Sequence, residues 1–152
     1  MPLSAEVVGT PMPDASLLLE RGRLRLFCEA IGETSPVYLD VAAARAAGHP
    51  DLPVPPTFLA AIQHEVPQPL RWIEELGADP RRVLHGEQAF TYHRMVHAGQ
   101  TVTLRGSVTG HTVKKGGAME LLTRSFVVTD ETGGTVAELE DVVVVRGTEA
   151  DR

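Results

Sequence analysis

Pro53-Val54-Pro55-Pro56-Thr57-Phe58-Leu59-Ala60-Ala61-Ile62-Gln63-His64 changes conformational character halfway along. Prolines at 53, 55 and 56 forbid helix up to Pro56, because each lacks an N–H and fixes its own φ. Thr57 is then placed to act as N-cap for the apolar run Phe58–Ile62. A helix this apolar, about ten residues long, belongs inside the molecule rather than on its surface. Its first turn carries free amides and the positive end of the helix dipole. Such an end, opened onto a cleft, can hold a carbonyl oxygen or an oxyanion. The plainer reading is a core helix with a stiffened entry.

Outward from this segment, the first half of the chain reads as short helices. Residues 1–15 form an extended arm rich in proline (Pro2, Pro11, Pro13), with a short strand expected at Ala5–Val8. Leu17–Leu19 is a short apolar run. Leu24, Phe27, Cys28 and Ile31 follow at the spacing of one helix face, with Gly32 as C-terminal residue. Glu33–Tyr38 reads as a loop. Asp40–Gly48 reads as a short helix capped by Asp40 and stopped by Gly48. Pro67 and Pro69 end the apolar helix, and Leu70–Leu76, with Trp72, adds another.

The second half changes to strands. Glu87–Arg94, Thr101–Thr109, Met119–Asp130 and Val136–Arg146 are rich in Val, Thr, Phe and Leu and partly alternate. Ala98-Gly99, Lys115-Gly116-Gly117 and Thr132-Gly133-Gly134 punctuate them as turns between antiparallel hairpins. Phe90, Tyr92 and Arg94 fall on one face, Thr91 and His93 on the other. Helices followed by a meander of long strands imply an α+β fold, an antiparallel sheet wrapped around a long central α-helix. Edges left open by such a sheet favour assembly as a dimer.

At 152 residues the chain has the length of one domain, spanning 1–152. That length suffices to bury roughly two-thirds of the unfolded surface without metal or disulfide. The single Cys28 has no internal partner and sits in an apolar periodicity, consistent with a buried thiol and a cytoplasmic location. A net charge of −6 argues against nucleic acid as a partner. No apolar run approaches a membrane span, and the N-terminus lacks a signal-peptide pattern.

Five stretches in order resemble a known family. They are Gly32-Glu33-Thr34-Ser35-Pro36-Val37-Tyr38, the run Ala43–Gly48, Val54-Pro55-Pro56-Thr57-Phe58, Tyr92-His93-Arg94, and Val96-His97-Ala98-Gly99. Together they are similar to the MaoC-like hydratase/dehydratase family, specifically its N-terminal-type hot-dog domain, over about Leu17 to Arg146. The resemblance implies a hot-dog fold, a dimer or double hot-dog, and an acyl thioester of coenzyme A or acyl carrier protein as partner. The implied reaction is reversible addition of water across a 2-enoyl thioester. No separate cofactor is implied, since coenzyme A or phosphopantetheine arrives as part of the substrate.

The resemblance also implies a catalytic loop. Catalytic members carry Gly-Asp-x-Asn-Pro-x-His, in which the acid and the imidazole activate water and move a proton at the α-carbon. Here the corresponding positions hold Glu33, Ser35 and Tyr38. A tyrosine titrates near pH 10, roughly 3.5 units above histidine, and suits hydrogen-bond donation better than base chemistry at neutral pH. N-terminal-type domains that lack the acid/histidine pair form a heterodimer, or a fused double hot-dog, with a half that has it, and shape the acyl tunnel. That role is the leading expectation. Own-chain catalysis through Glu33 and Tyr38 as a homodimer, and a thioesterase or non-catalytic acyl-thioester binder, are the alternatives.

Where catalytic relatives place a glycine at the start of the central helix, this chain has Thr57, whose N–H stays available, while Pro56 has none to give. Pro56, Thr57, Phe58, His93 and Arg94 are therefore the expected substrate contacts. Lys114 and Lys115 mark a hairpin tip and also form a basic spot for coenzyme A phosphates or an acidic carrier helix, with Arg94 and Arg124 as alternatives. His93 and His97 are four apart, yet no third ligand lies near in sequence, so no metal is expected. There is no Gly-x-Ser-x-Gly and no glycine-rich dinucleotide fingerprint.

Overall fold

A computed structural model of the chain describes residue 3 and residues 5–147. Five strands form one antiparallel sheet: β1 (Ala15–Leu18), β2 (Val83–Tyr92), β3 (Thr101–Lys114), β4 (Met119–Asp130) and β5 (Thr135–Arg146). Their spatial order is β1-β3-β4-β5-β2. β3–β4 and β4–β5 are the expected hairpins. β2 does not join that meander through β3; it pairs with β5 at the opposite edge. The connection at 93–100 crosses the open side of the sheet, held by the Pro53–His97 bridge and by Gly99 N–H donating to Leu19 O at 2.8 Å.

Alternation decides which face is core. On β4, Leu122, Phe126 and Val128 point inward, and on β5 Ala137, Leu139, Val143 and Val145 do the same. Arg124 and Asp141 occupy the same inward phase and are register partners. Gly106 on β3 lies where a Cβ would sit 2.3 Å from the Phe126 ring, so only glycine lets that ring lie flat there.

Four α-helices complete the architecture: α1 (Arg21–Ile31), α2 (Pro36–Leu39), α3 (Val41–Ala46) and α4 (Arg71–Glu75). α1 buries Leu24 and Cys28, while Ile31, expected on the same face, is 55% exposed. Gly32 ends it at φ 73°, and Glu33 N–H reaches back to Cys28 O at 2.8 Å. This is the glycine-ended helix stop in which two amides close on the last-turn carbonyls. Part of the expected loop at 33–38 is helical, because Pro36 starts the turn of α2. Asp40 then caps α3, accepting from Ala43 N–H at 2.8 Å. The strand expected at Ala5–Val8 is a 3₁₀ turn, Ala5–Val7, instead.

The central segment departs most from expectation. Phe58–His64 is a seven-residue 3₁₀ helix, not a long α-helix. Phe58, Leu59 and Ile62 are buried as expected. Thr57 has no side-chain capping bond and lies at φ 71°, ψ −14°. Phe58 N–H donates to Pro55 O at 3.2 Å, closing a tight turn over Pro56-Thr57 with positive φ at its third residue. A residue in that turn position cannot also hold the extended conformation an N-cap needs. The tight i→i+3 bonding begun at Pro55 continues through Ala60 N–H to Thr57 O, which is 3₁₀ geometry.

Candidate functional site

The turn at 55–58, the start of the 93–100 crossover and α2 converge on one cavity of about 360 Å³. Tyr38, Pro56, Leu59, Tyr92 and Met95 are among its walls, so the lining is mostly apolar. At its edge the Tyr92 hydroxyl accepts the Thr57 N–H at 3.0 Å. The amide at the start of the central segment is therefore engaged by the oxygen of a phenol that lines the cavity. Tyr92 is held flat against Phe90, with ring centroids 5.6 Å apart and planes 1° from parallel.

Glu33 is elsewhere. Its carboxylate accepts the Ser35 N–H at 2.7 Å, folding the loop onto itself. It opens onto a different cavity, of about 380 Å³, beside Arg25, Glu29 and Thr34. Glu33 and Tyr38, five residues apart in the loop motif, thus do not line a common cavity.

The other expected contacts divide. Pro56 and His93 border the Tyr38 cavity, and His93 Nε2 lies 2.9 Å from Glu138 on the convex face of the sheet. Arg94 borders it too, with its guanidinium 2.7 Å from Asp130. Gly134 leaves room for this placement, since a Cβ there would meet Arg94 Nη2 at 2.0 Å and push the guanidinium aside. Phe58 packs in the core, its ring 5.2 Å from Phe27 in an edge-to-face pair. Lys114 and Lys115 lie at the far end of the sheet. Lys114 pairs with Met119, whereas Tyr92 pairs with Ala137 beside Val128. Along β4 those two points are roughly 30 Å apart at about 3.3 Å per residue.

Two further cavities lie outside the sites expected from the sequence; Arg124, expected as an alternative phosphate contact, is buried between them and paired with Asp141, so it is not a surface basic spot. Thr57, Ala61, Gln88, Phe90 and Arg124 line a groove of about 650 Å³ on the inner side of β2. Gln63, His64, His85 and Arg124 also line an adjoining apolar cavity of about 240 Å³ under Trp72. Arg124, 8% exposed, donates from Nε and Nη2 to the two carboxylate oxygens of Asp141 at 2.8 and 2.6 Å. Its guanidinium also stacks 4.5 Å from the Trp72 ring. The available signal was parity: opposite charges at the apolar phase of two neighbouring strands.

His97 faces His49 across 3.2 Å, ring nitrogen to ring nitrogen. Burial, and then the neighbouring His49, hold the His97 pKa below the ordinary imidazole value. Arg21 grips Asp51 and keeps its carboxyl well below the usual carboxylate range. His93 and His97 thus serve separate contacts. Among the described residues no three His, Cys, Asp or Glu side chains gather as a metal site, and no helix is long and apolar enough to cross a membrane.

Comparison with known proteins fits this geometry. A family profile described as "FAS1-like, dehydratase domain region" matches residues 6–139. A UPF0336 protein of Clavibacter michiganensis is 40% identical over 99% of this chain and 100% of its own length. The fold is similar to a C-terminally truncated HadBC (3R-hydroxyacyl-ACP dehydratase) complex from Mycobacterium tuberculosis, with TM-score 0.74 at 20% identity, covering 93% of this chain and 99% of that one. It is also similar to the ChsH1-ChsH2 complex from the same organism, with TM-score 0.69 at 26% identity, covering 92% and 90%. The curled five-stranded sheet, the buried segment at 58–64 and the match across 6–139 agree: this chain belongs to the FAS1-like dehydratase-region family, with the hot-dog fold of the MaoC-like hydratases and dehydratases.

Proposed function

We propose that this chain is the acyl-site-shaping half of an enoyl-thioester hydratase or 3-hydroxyacyl-thioester dehydratase, with the acid/histidine pair supplied by a second hot-dog subunit. The observation that carries the reading is the separation of Glu33 from the Tyr38 cavity. A general base must come within hydrogen-bond reach of the proton it takes. Glu33 instead spends its carboxylate on Ser35 N–H, in a cavity Tyr38 does not share.

The lining of the Tyr38 cavity supports a binding half of the site. Pro56, Leu59 and Met95 offer an apolar wall, and the Tyr38 and Tyr92 hydroxyls supply polar groups beside it. The thioester carbonyl takes its hydrogen bond at the Tyr92–Thr57 pair, from the phenol or from the amide once the phenol turns aside. The acyl chain runs along the inner face of β2, past Phe90 and Gln88. Coenzyme A or a carrier-borne phosphopantetheine is the substrate's handle. Lys114 and Lys115, at the other end of the sheet, are poorly placed to receive its phosphates, so that contact falls to a partner subunit or to Arg94 when released from Asp130.

Two features support a partner. β2 pairs only with β5, and its other edge, with Leu84 and Tyr92 about half exposed, is free among the described residues. An edge strand of ten residues is a ready template for a second chain. Both similar structures are by name complexes, and one is a 3R-hydroxyacyl-ACP dehydratase. The test is hydration of a crotonyl thioester by the isolated chain and by the chain co-purified with a hot-dog protein bearing an intact acid/histidine pair. Activity only in the second preparation supports the proposal. Activity in the first, abolished by Glu33→Gln, would overturn it. Release of free thiol instead of hydration would assign a thioesterase.

A further inference from the structure

The cavity under Trp72 has one feature an apolar pocket does not need. Arg124 is buried inside it, yet its three nitrogens are unequally served. Nε and Nη2 donate to Asp141, and Nη2 also donates to Gln63 Oε1 at 2.9 Å. Nη1 has, among the described residues, only the thioether sulfur of Met12 at 3.8 Å. Sulfur is a weak acceptor. A guanidinium N–H facing only a thioether is weakly served, and an oxygen placed there would gain a charge-assisted hydrogen bond.

The surroundings define which oxygen. Asp141, 1% exposed, already balances the guanidinium charge with a two-point contact. A carboxylate entering the cavity would bring a second negative charge close to Asp141 among Trp72, Ile73, Leu104, Phe126 and Val143, with His64 and His85 the other titratable side chains of the lining besides Arg124. A neutral acceptor brings none. The cavity adjoins the groove along β2, since Gln63, His64, His85 and Arg124 border both. A chain lying in that groove reaches Arg124 with its distal end.

Resting on the acyl-site reading above, we infer that the Trp72 cavity receives the distal part of the acyl chain and that Arg124 Nη1 donates to a neutral keto or hydroxyl oxygen on it. The substrate class is thus an oxygenated acyl thioester rather than a plain alkyl one. Arg124 is a specificity-determining residue in this scheme, remote from the reacting carbons.

Trp72 is the only tryptophan of the chain, so its fluorescence reports on this cavity directly. The experiment titrates the purified full chain with a medium-chain methyl ketone, the hydrocarbon of equal length and the fatty acid of equal length. The same titration is run on Arg124→Met/Asp141→Leu, in which apolar residues replace both charges so that neither is left unpaired. The expected result is ketone binding in the parent chain, weaker fatty-acid binding, and a ketone-to-hydrocarbon affinity ratio that drops about tenfold or more in the double variant. Failure of all three probes to quench Trp72 in the parent chain, or an unchanged ratio in the double variant, would overturn the inference. A circular-dichroism melt of the double variant confirms that it is folded, and if it is not, the parent's ranking of ketone over fatty acid decides. The readout is independent of turnover: ketone binding by a chain that never supports hydration with a partner would sink the dehydratase proposal and leave the cavity assignment standing.

Discussion

Replacing Thr57 by glycine should make this protein more stable, although the change deletes a side chain. Thr57 sits at φ 71°, where a β-branched residue crowds its own backbone. A left-handed residue with a Cβ costs about 1–2 kcal/mol. Glycine removes that strain but adds freedom to the unfolded chain, worth about 0.4–1 kcal/mol in the other direction. The side chain is exposed and makes no capping bond, so nothing else of note is lost. The Thr57 N–H to Tyr92 bond belongs to the backbone and survives. The net expectation for Thr57→Gly is a gain of about 0.5–1 kcal/mol. For a chain of this length that raises Tm by about 2–3 °C, measured by calorimetry and checked by the urea midpoint. Thr57→Ala keeps a Cβ and should gain less. A glycine variant that melts below the alanine variant would refute the left-handed turn at 57, and with it the account of why the expected cap fails.

Three other outcomes follow from named contacts. Asp141→Asn leaves the Arg124 charge buried without its counter-ion and should cost about 3–5 kcal/mol by urea denaturation, against little loss in the apolar double replacement. Gly106→Ala drives a Cβ into the Phe126 ring and the Ser125 carbonyl, and should cost about 1–3 kcal/mol in the same assay. His97, its pKa lowered by burial and by His49, stabilises the fold while neutral. That contribution is complete above the ordinary imidazole value of about 6.5 and is lost as the pH falls through the lowered one. The urea midpoint should therefore fall between pH 7.5 and 5.5, and fall less in His97→Gln; equal slopes would contradict the assignment.

The parts of the fold that follow local rules were legible in the sequence. Gly32 ends α1 in the left-handed conformation, Asp40 caps α3, and the 119–130 strand has the bounds its alternation implies. What depends on distant contacts was not. β2 reads as the first strand of a meander, yet it closes the far edge, because a strand's partner is set by the crossover and not by its own alternation. Thr57 before an apolar run has the composition of a cap. The turn closed by Phe58 N–H on Pro55 O forces it into positive φ instead, and Tyr92, 35 residues away, takes its amide. The site shows the same division. Pro56, Tyr38, His93 and Arg94, named singly from the sequence, line one cavity in the structure. The diversion of Glu33 onto Ser35 and the position of the Arg124–Asp141 pair beneath Trp72 needed the three-dimensional structure, although the strand parity of that pair is readable in the sequence.

The most direct test of the central claim is the loss of enoyl absorbance when crotonyl thioester is added to the isolated chain and to the two-subunit assembly. Background rates from the first and turnover from the second are the predicted results. Turnover by the isolated chain that disappears with Glu33→Gln would show that this subunit carries its own base, and would contradict the account.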